Sequence, residues 1–183
     1  MLLSILIVIG CVSSSIVFSA ITSNLKIDGF ATIGSVRWSI RFDNLENAIL
    51  TGSAEEIRKP MIQSNSSSIG SFDVKLTATN DAVIYYFEVI NDGDLDAKLS
   101  SITMPTPTCV GKGSNKMSDE ELVCRNLKYQ LTYADGKSIN VSDELAKGTK
   151  KKMKLYLQYV GNELPQNVVN INGLGISMIY GEK

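Results

Sequence analysis

Ser35-Val36-Arg37-Trp38-Ser39-Ile40-Arg41-Phe42 puts Val36, Trp38, Ile40 and Phe42 on one side of an extended backbone and two serines and two arginines on the other. Alternation with a period of two is the mark of a strand with one buried face. Trp38, on the apolar side, reads as a core residue rather than a platform for carbohydrate. The same rhythm recurs along the chain. Phe72, Val74, Leu76 and Ala78 form a second set and Val83, Tyr85, Phe87 and Val89 a third. Leu127, Tyr129, Leu131 and Tyr133 form another, as do Met153, Leu155, Leu157 and Tyr159. Asn80-Asp81, Asn91-Asp92-Gly93 and Asp135-Gly136 separate these runs, and Asp-Gly offers the positive φ of a tight turn.

A final strand is expected over residues 168–180, broken by a bulge at Asn172-Gly173. Residues 43–70 read as strand pieces and flexible loop, while Glu55–Arg58 and residues 143–147 each suit a helical turn. Many short strands without a convincing amphipathic helix predict an all-β fold, an antiparallel β-sandwich of immunoglobulin-like or jelly-roll type. With 183 residues, the chain suits one such domain over residues 20–183, preceded by an N-terminal segment over residues 1–19.

Composition narrows the function. The formal charge is -1 and the lysines are scattered along the sequence, so no nucleic-acid footprint is expected. There is no histidine, which removes the commonest general base, the commonest transition-metal ligand and every Ser-His or Cys-His nucleophile pair. No catalytic residue, cofactor or metal site is assigned, and the protein is not expected to be an enzyme.

From Met1 to Ile21 no residue is charged; the run Leu2-Leu3-Ser4-Ile5-Leu6-Ile7-Val8-Ile9 is apolar, and small residues follow. That order matches a secretory signal cleaved after Ser19, with Val17 and Ser19 at the recognition positions. It lacks the usual Lys or Arg before the apolar run. A retained membrane anchor is the competing reading, since the stretch can span roughly 30 Å at about 1.5 Å per residue. Val8-Ile9-Gly10-Cys11 has the form of a lipobox, but the chain stays apolar past Cys11. Either leader directs the rest of the chain outside the cytoplasm, to the cell surface or beyond. There Cys109 and Cys124, the two cysteines outside the leader, are expected to form a disulfide worth about 3 kcal/mol through loop closure.

The remaining charged motifs read as solvated surface. Asp92-Gly93-Asp94-Leu95-Asp96 begins like a calcium loop, but Ala97 and Thr103 stand where an EF-hand needs Gly and Glu. Glu55-Glu56, Asp119-Glu120-Glu121 and Asp143-Glu144 read as loop solvation, and Lys150-Lys151-Lys152 as a charged strand edge that resists unwanted pairing.

Four segments carry a family resemblance. Ser23-Asn24-Leu25-Lys26-Ile27-Asp28-Gly29-Phe30-Ala31-Thr32 and Trp38-Ser39-Ile40-Arg41-Phe42-Asp43-Asn44 are two; Tyr86-Phe87-Glu88-Val89-Ile90-Asn91-Asp92-Gly93 with Asp96-Ala97, and Tyr129-Gln130-Leu131-Thr132-Tyr133-Ala134-Asp135-Gly136, are the others. Together they resemble the camelysin/TasA class of exported proteins of Gram-positive bacteria. The resemblance implies a leader removed by a dedicated signal peptidase, a sandwich domain, and assembly into matrix fibres with copies of itself or related subunits. Some members of that class carry a metallopeptidase label, for which this histidine-free chain offers no chemistry.

Cleavage at Ser19 would leave residues 25–33 as a free arm. Its alternate residues Leu25, Ile27, Ala31 and Ile33 would fill pockets while its backbone pairs with an exposed sheet edge. The plainer competitor is that this strand joins its own subunit's sheet. The leading expectation is therefore a structural or surface protein, with an extracellular adhesin or carbohydrate-binding module as the alternative.

Overall fold

The structure, a computed structural model, describes residues 35–183 apart from Asn65. The leader 1–19 and the arm residues Leu25, Ile27, Ala31 and Ile33 lie outside the described residues. Val36–Lys183 gathers into one unit of antiparallel strands. Its centre is a pair of ten-residue strands, β6 (Ala82–Asn91) and β11 (Lys150–Tyr159), in register from Ala82 opposite Gln158 to Ile90 opposite Lys150. Both are strands for the reason the sequence suggests. Val83, Tyr85, Phe87 and Val89 of β6, and Met153, Leu155, Leu157 and Tyr159 of β11, are buried, while the residues between them reach outward. Each such side chain contributes about 1.5–3 kcal/mol by leaving water.

β9 (Leu127–Tyr133) adds to the far side of β11. Along the other side of β6 lie β1 (Ile40–Asp43) at its C-terminal end and β2 (Ile49–Thr51) at its N-terminal end. The second sheet runs β10 (Glu144–Leu145), β7 (Ala97–Thr103), β13 (Ile176–Glu182), β4 (Ser68–Ile69). Apolar faces of the two sheets share one core, in which the Phe42 and Phe87 rings lie 5.0 Å apart and Phe72 meets Tyr85 edge-on at 5.1 Å. Two separate ribbons complete the unit: β3 (Glu55–Arg58) with β5 (Asp73–Lys75), and β8 (Thr108–Gly111) with β12 (Val169–Asn172). Helix α1 (Lys116–Arg125) packs against the second ribbon.

Several expectations are corrected. Trp38 is not core: it is 44% exposed, and Val36 more so. Residues 35–39 run past the end of the first sheet beside the 92–94 turn, where the Asp94 N–H donates to the Arg37 carbonyl, the Arg37 N–H donates to the Asp94 carboxylate, and the described residues leave the apolar side largely uncovered. Gly93 permits this approach, since a Cβ there would meet the Arg37 carbonyl at 2.7 Å. Glu55–Arg58 and Glu144–Leu145 are strands rather than helical turns.

The expected strand over 168–180 is two strands, β12 and β13, in different sheets. Gly173, at a φ of +81°, turns the chain between them, and the bulge falls later, between Ile179 and Tyr180. The polar stretch between the cysteines contains α1, which buries only Asp119 and Val123 and so carries almost no apolar periodicity. Lys150-Lys151-Lys152 opens a central strand, not an edge: Lys150 pairs with Glu88, Lys152 with Glu46, and Lys151 lies over the Tyr133 ring.

Candidate strand-accepting groove

Between the two ribbons runs an open groove of about 710 Å³. β5 and the residues following it to Thr77 line one side; β12 and the loop 164–168 line the other, with Val123 and Tyr159 contributing between them. Its surface mixes polar and apolar groups, the apolar part coming from Val74, Leu76, Leu164, Val168 and Ile171. Val168 is 68% exposed and Leu164 48%. Among the described residues β5 pairs only with β3 and β12 only with β8, so each keeps one edge free of ladder hydrogen bonds. Two unpaired strand edges with apolar side chains between them suit an extended chain whose side chains alternate.

The wall carrying β12 is braced from α1. Buried Asp119 accepts the N–H groups of Gln166 and Asn167 at 2.9 and 3.0 Å, and the Asn167 side-chain amide at 3.0 Å. That amide first, then the two N–H groups, hold its pKa below the usual carboxylate value against the opposing effect of burial. Glu120 accepts the Gly111 N–H, joining α1 to β8. Cys109 of β8 and Cys124 of α1 stand at disulfide distance, Cα to Cα 5.8 Å. A bridge there would tie the last turn of α1 to the same ribbon. Alkylation of the unfolded, unreduced protein is therefore expected to label neither Cys109 nor Cys124; labelling of both would show that the wall stands without a bridge.

The opposite wall hangs on Asp81, a buried carboxylate in the turn between β5 and β6. It accepts the Thr77 and Ala78 N–H groups at 2.7 and 2.8 Å, the Ser53 N–H at 2.8 Å and the Ser53 hydroxyl at 2.9 Å. Burial opposes its ionisation, but these donors outweigh that and hold its pKa below normal. Gly52 makes room for it: a Cβ there would lie 2.3 Å from Asp81 Oδ1. Asn80 takes a φ of +67° in the same turn. Nearby, the Tyr85 hydroxyl lies buried beside the Glu56 carboxylate, out of hydrogen-bond geometry. Burial first, and the carboxylate second, push that hydroxyl far above the usual tyrosine value.

The carboxylate motifs thus resolve individually. Asp119 and Asp81 are structural acceptors, and Asp143 accepts the Tyr133 hydroxyl at 2.6 Å and the Asn140 N–H at 2.9 Å, so reading Asp119 and Asp143 as loop solvation is corrected. In the 92–96 turn the three carboxylates diverge: Asp92 faces Arg41, Asp94 accepts the Arg37 N–H and Asp96 the Lys147 N–H. Among the described residues no three His, Cys, Asp or Glu side chains gather as metal ligands. Of the residues singled out in the sequence, Cys109 and Cys124 are brought together, while the arm residues lie outside the described part. The groove is not legible in the sequence because its walls come from segments roughly ninety residues apart, and buried Asp81 reads there only as a turn residue. Comparison with protein-family models, curated proteins and solved structures finds no match to this chain.

Proposed function

We propose that this protein is an exported structural subunit, of immunoglobulin-like or jelly-roll sandwich type, whose copies join when the arm 25–33 of one enters the groove of the next. The observation that carries this is the groove: two strand edges unpaired among the described residues, with exposed apolar side chains between them. The arm offers alternate side chains, Leu25, Ile27, Ala31 and Ile33 on one side and Lys26, Asp28, Phe30 and Thr32 on the other. Strand addition of this kind draws affinity from backbone hydrogen bonds and specificity from alternate side chains. The apolar leader and the resemblance to camelysin/TasA-like matrix proteins agree with export and with assembly on or beyond the cell surface, a signal peptidase acting first.

Negative-stain microscopy of purified, leader-free protein tests the reading, with filaments expected. Leu164→Asp and Val168→Asp, on the exposed rim, are expected to abolish filaments while leaving the melting temperature within a degree or two, because neither side chain is part of the core. Filaments that persist unchanged in the double variant would refute the groove as the acceptor.

A further inference from the structure

The lysines that look scattered in the sequence are gathered by the fold. On the outer face of the first sheet, β11 presents Lys150, Lys152, Lys154, Tyr156 and Gln158, with Tyr86 of β6 directly opposite Lys154 and Lys128 of β9 opposite Gln158. Lys128 and Lys154 both approach the Tyr156 ring, Nζ to centroid 5.8 and 5.3 Å, and Lys152 lies 4.8 Å from the centre of Tyr86. Two of these charges are answered: Lys150 by Glu88 and Lys152 by Glu46. Lys128 and Lys154 have no carboxylate within ion-pair distance among the described residues, so the centre of the face holds two uncompensated ammonium groups around one ring. The protein as a whole carries a charge of -1, and this concentration of positive charge therefore comes from the fold, not from composition.

Cation–π contact alone accounts for about 0.5–1 kcal/mol at an exposed site and leaves the positive charge unneutralised. Among the described residues the face is made of strands, is partly to fully exposed, and mixes three kinds of group: tyrosine rings, ammonium groups and the amides of Gln130 and Gln158. We propose that it binds an acidic polysaccharide. Carboxylates spaced along a glycan chain would pair with Lys128 and Lys154. The C–H faces of its sugar rings would lie on Tyr156 and Tyr86, and the glutamine amides would meet its hydroxyls. The inference does not depend on filament assembly, because it uses the outer face of the first sheet and none of the groove-lining residues.

The test is binding of the full-length chain to polygalacturonate, to neutral dextran and to a single-stranded DNA oligonucleotide. The expected result is retention on polygalacturonate that weakens as salt rises, with dextran not retained and DNA bound at least tenfold more weakly. Lys128→Glu with Lys154→Glu is expected to cut polygalacturonate affinity by roughly tenfold or more, and Tyr156→Ser by a similar factor, while Tyr156→Phe keeps it. Melting temperatures measured alongside separate lost binding from lost folding. Failure to bind polygalacturonate, binding indifferent to the lysine pair, binding indifferent to Tyr156→Ser in a folded protein, or DNA bound as tightly as the polysaccharide would each overturn the proposal.

Discussion

Asp81→Ala is expected to lower the melting temperature by roughly 10 °C. The carboxylate is 1% exposed and receives three backbone N–H groups and one hydroxyl, from the β2–β3 turn on one side and the β5–β6 turn on the other. Removing it leaves those donors in a site too enclosed for water to replace it fully. A buried donor left unpaired costs about 1–3 kcal/mol, so a total near 4 kcal/mol is a conservative sum. At roughly 2–4 °C per kcal/mol for a chain of this size, that gives the shift stated. The pH dependence follows from the lowered pKa. A carboxylate more acidic in the folded than in the unfolded state stabilises fully above its ordinary value of 3.8, and this is lost as pH falls through the lower folded value. The gap between wild type and variant should therefore be constant near neutrality and narrow in acid below about pH 4. Thermal melts by circular dichroism measure both. A loss under 1 kcal/mol at pH 7 would mean that Asp81 is not the anchor of these turns.

Deletion of residues 1–34 is expected to leave a folded domain that no longer polymerises. The described core draws its side chains from Ile40 onward, so nothing named in it is lost with the arm. Ile27→Asp in the otherwise intact protein should weaken filaments while sparing the fold. If the arm instead completes its own subunit's sheet, both changes should lower thermal stability, because Ile27 would then be a core residue whose loss costs on the order of several kcal/mol. Melting curves and electron microscopy on the same samples distinguish these outcomes. Truncated protein that still forms filaments would end the arm-exchange reading.

The legible part of this fold was its centre. Strands β6 and β11 announce themselves because large apolar side chains alternate over ten residues, and the hydrophobic effect leaves such a pattern only one way to lie. β7 was harder to see. Its buried residues are Ala97 and Leu99, and the rest of it is Lys98, two serines, Ile102 and Thr103, a contrast too weak to register as a strand. α1 is hidden for the opposite reason, since the helix is held by the hydrogen bonds of Asp119 and Glu120 rather than by an apolar stripe. Trp38 misled because alternation reports which side chains share a side and not whether anything covers that side. The groove belongs to a third kind of feature, in which free strand edges matter, and pairing partners far along the chain cannot be read from either segment alone.

The register that places Gln158 opposite Ala82 also has a kinetic consequence. Residues 92–149 separate the two central strands, so the chain must close a long loop before its most apolar surfaces meet. A ribosome that has delivered everything up to Gly148 has produced β6 with no neighbour on its β11 side, and no part of the first sheet's centre can be in place. Completion of the first sheet is thus held back until the last fifth of the polypeptide emerges, and a chain not yet locked by its central pairing is the form that passes most readily through a narrow channel.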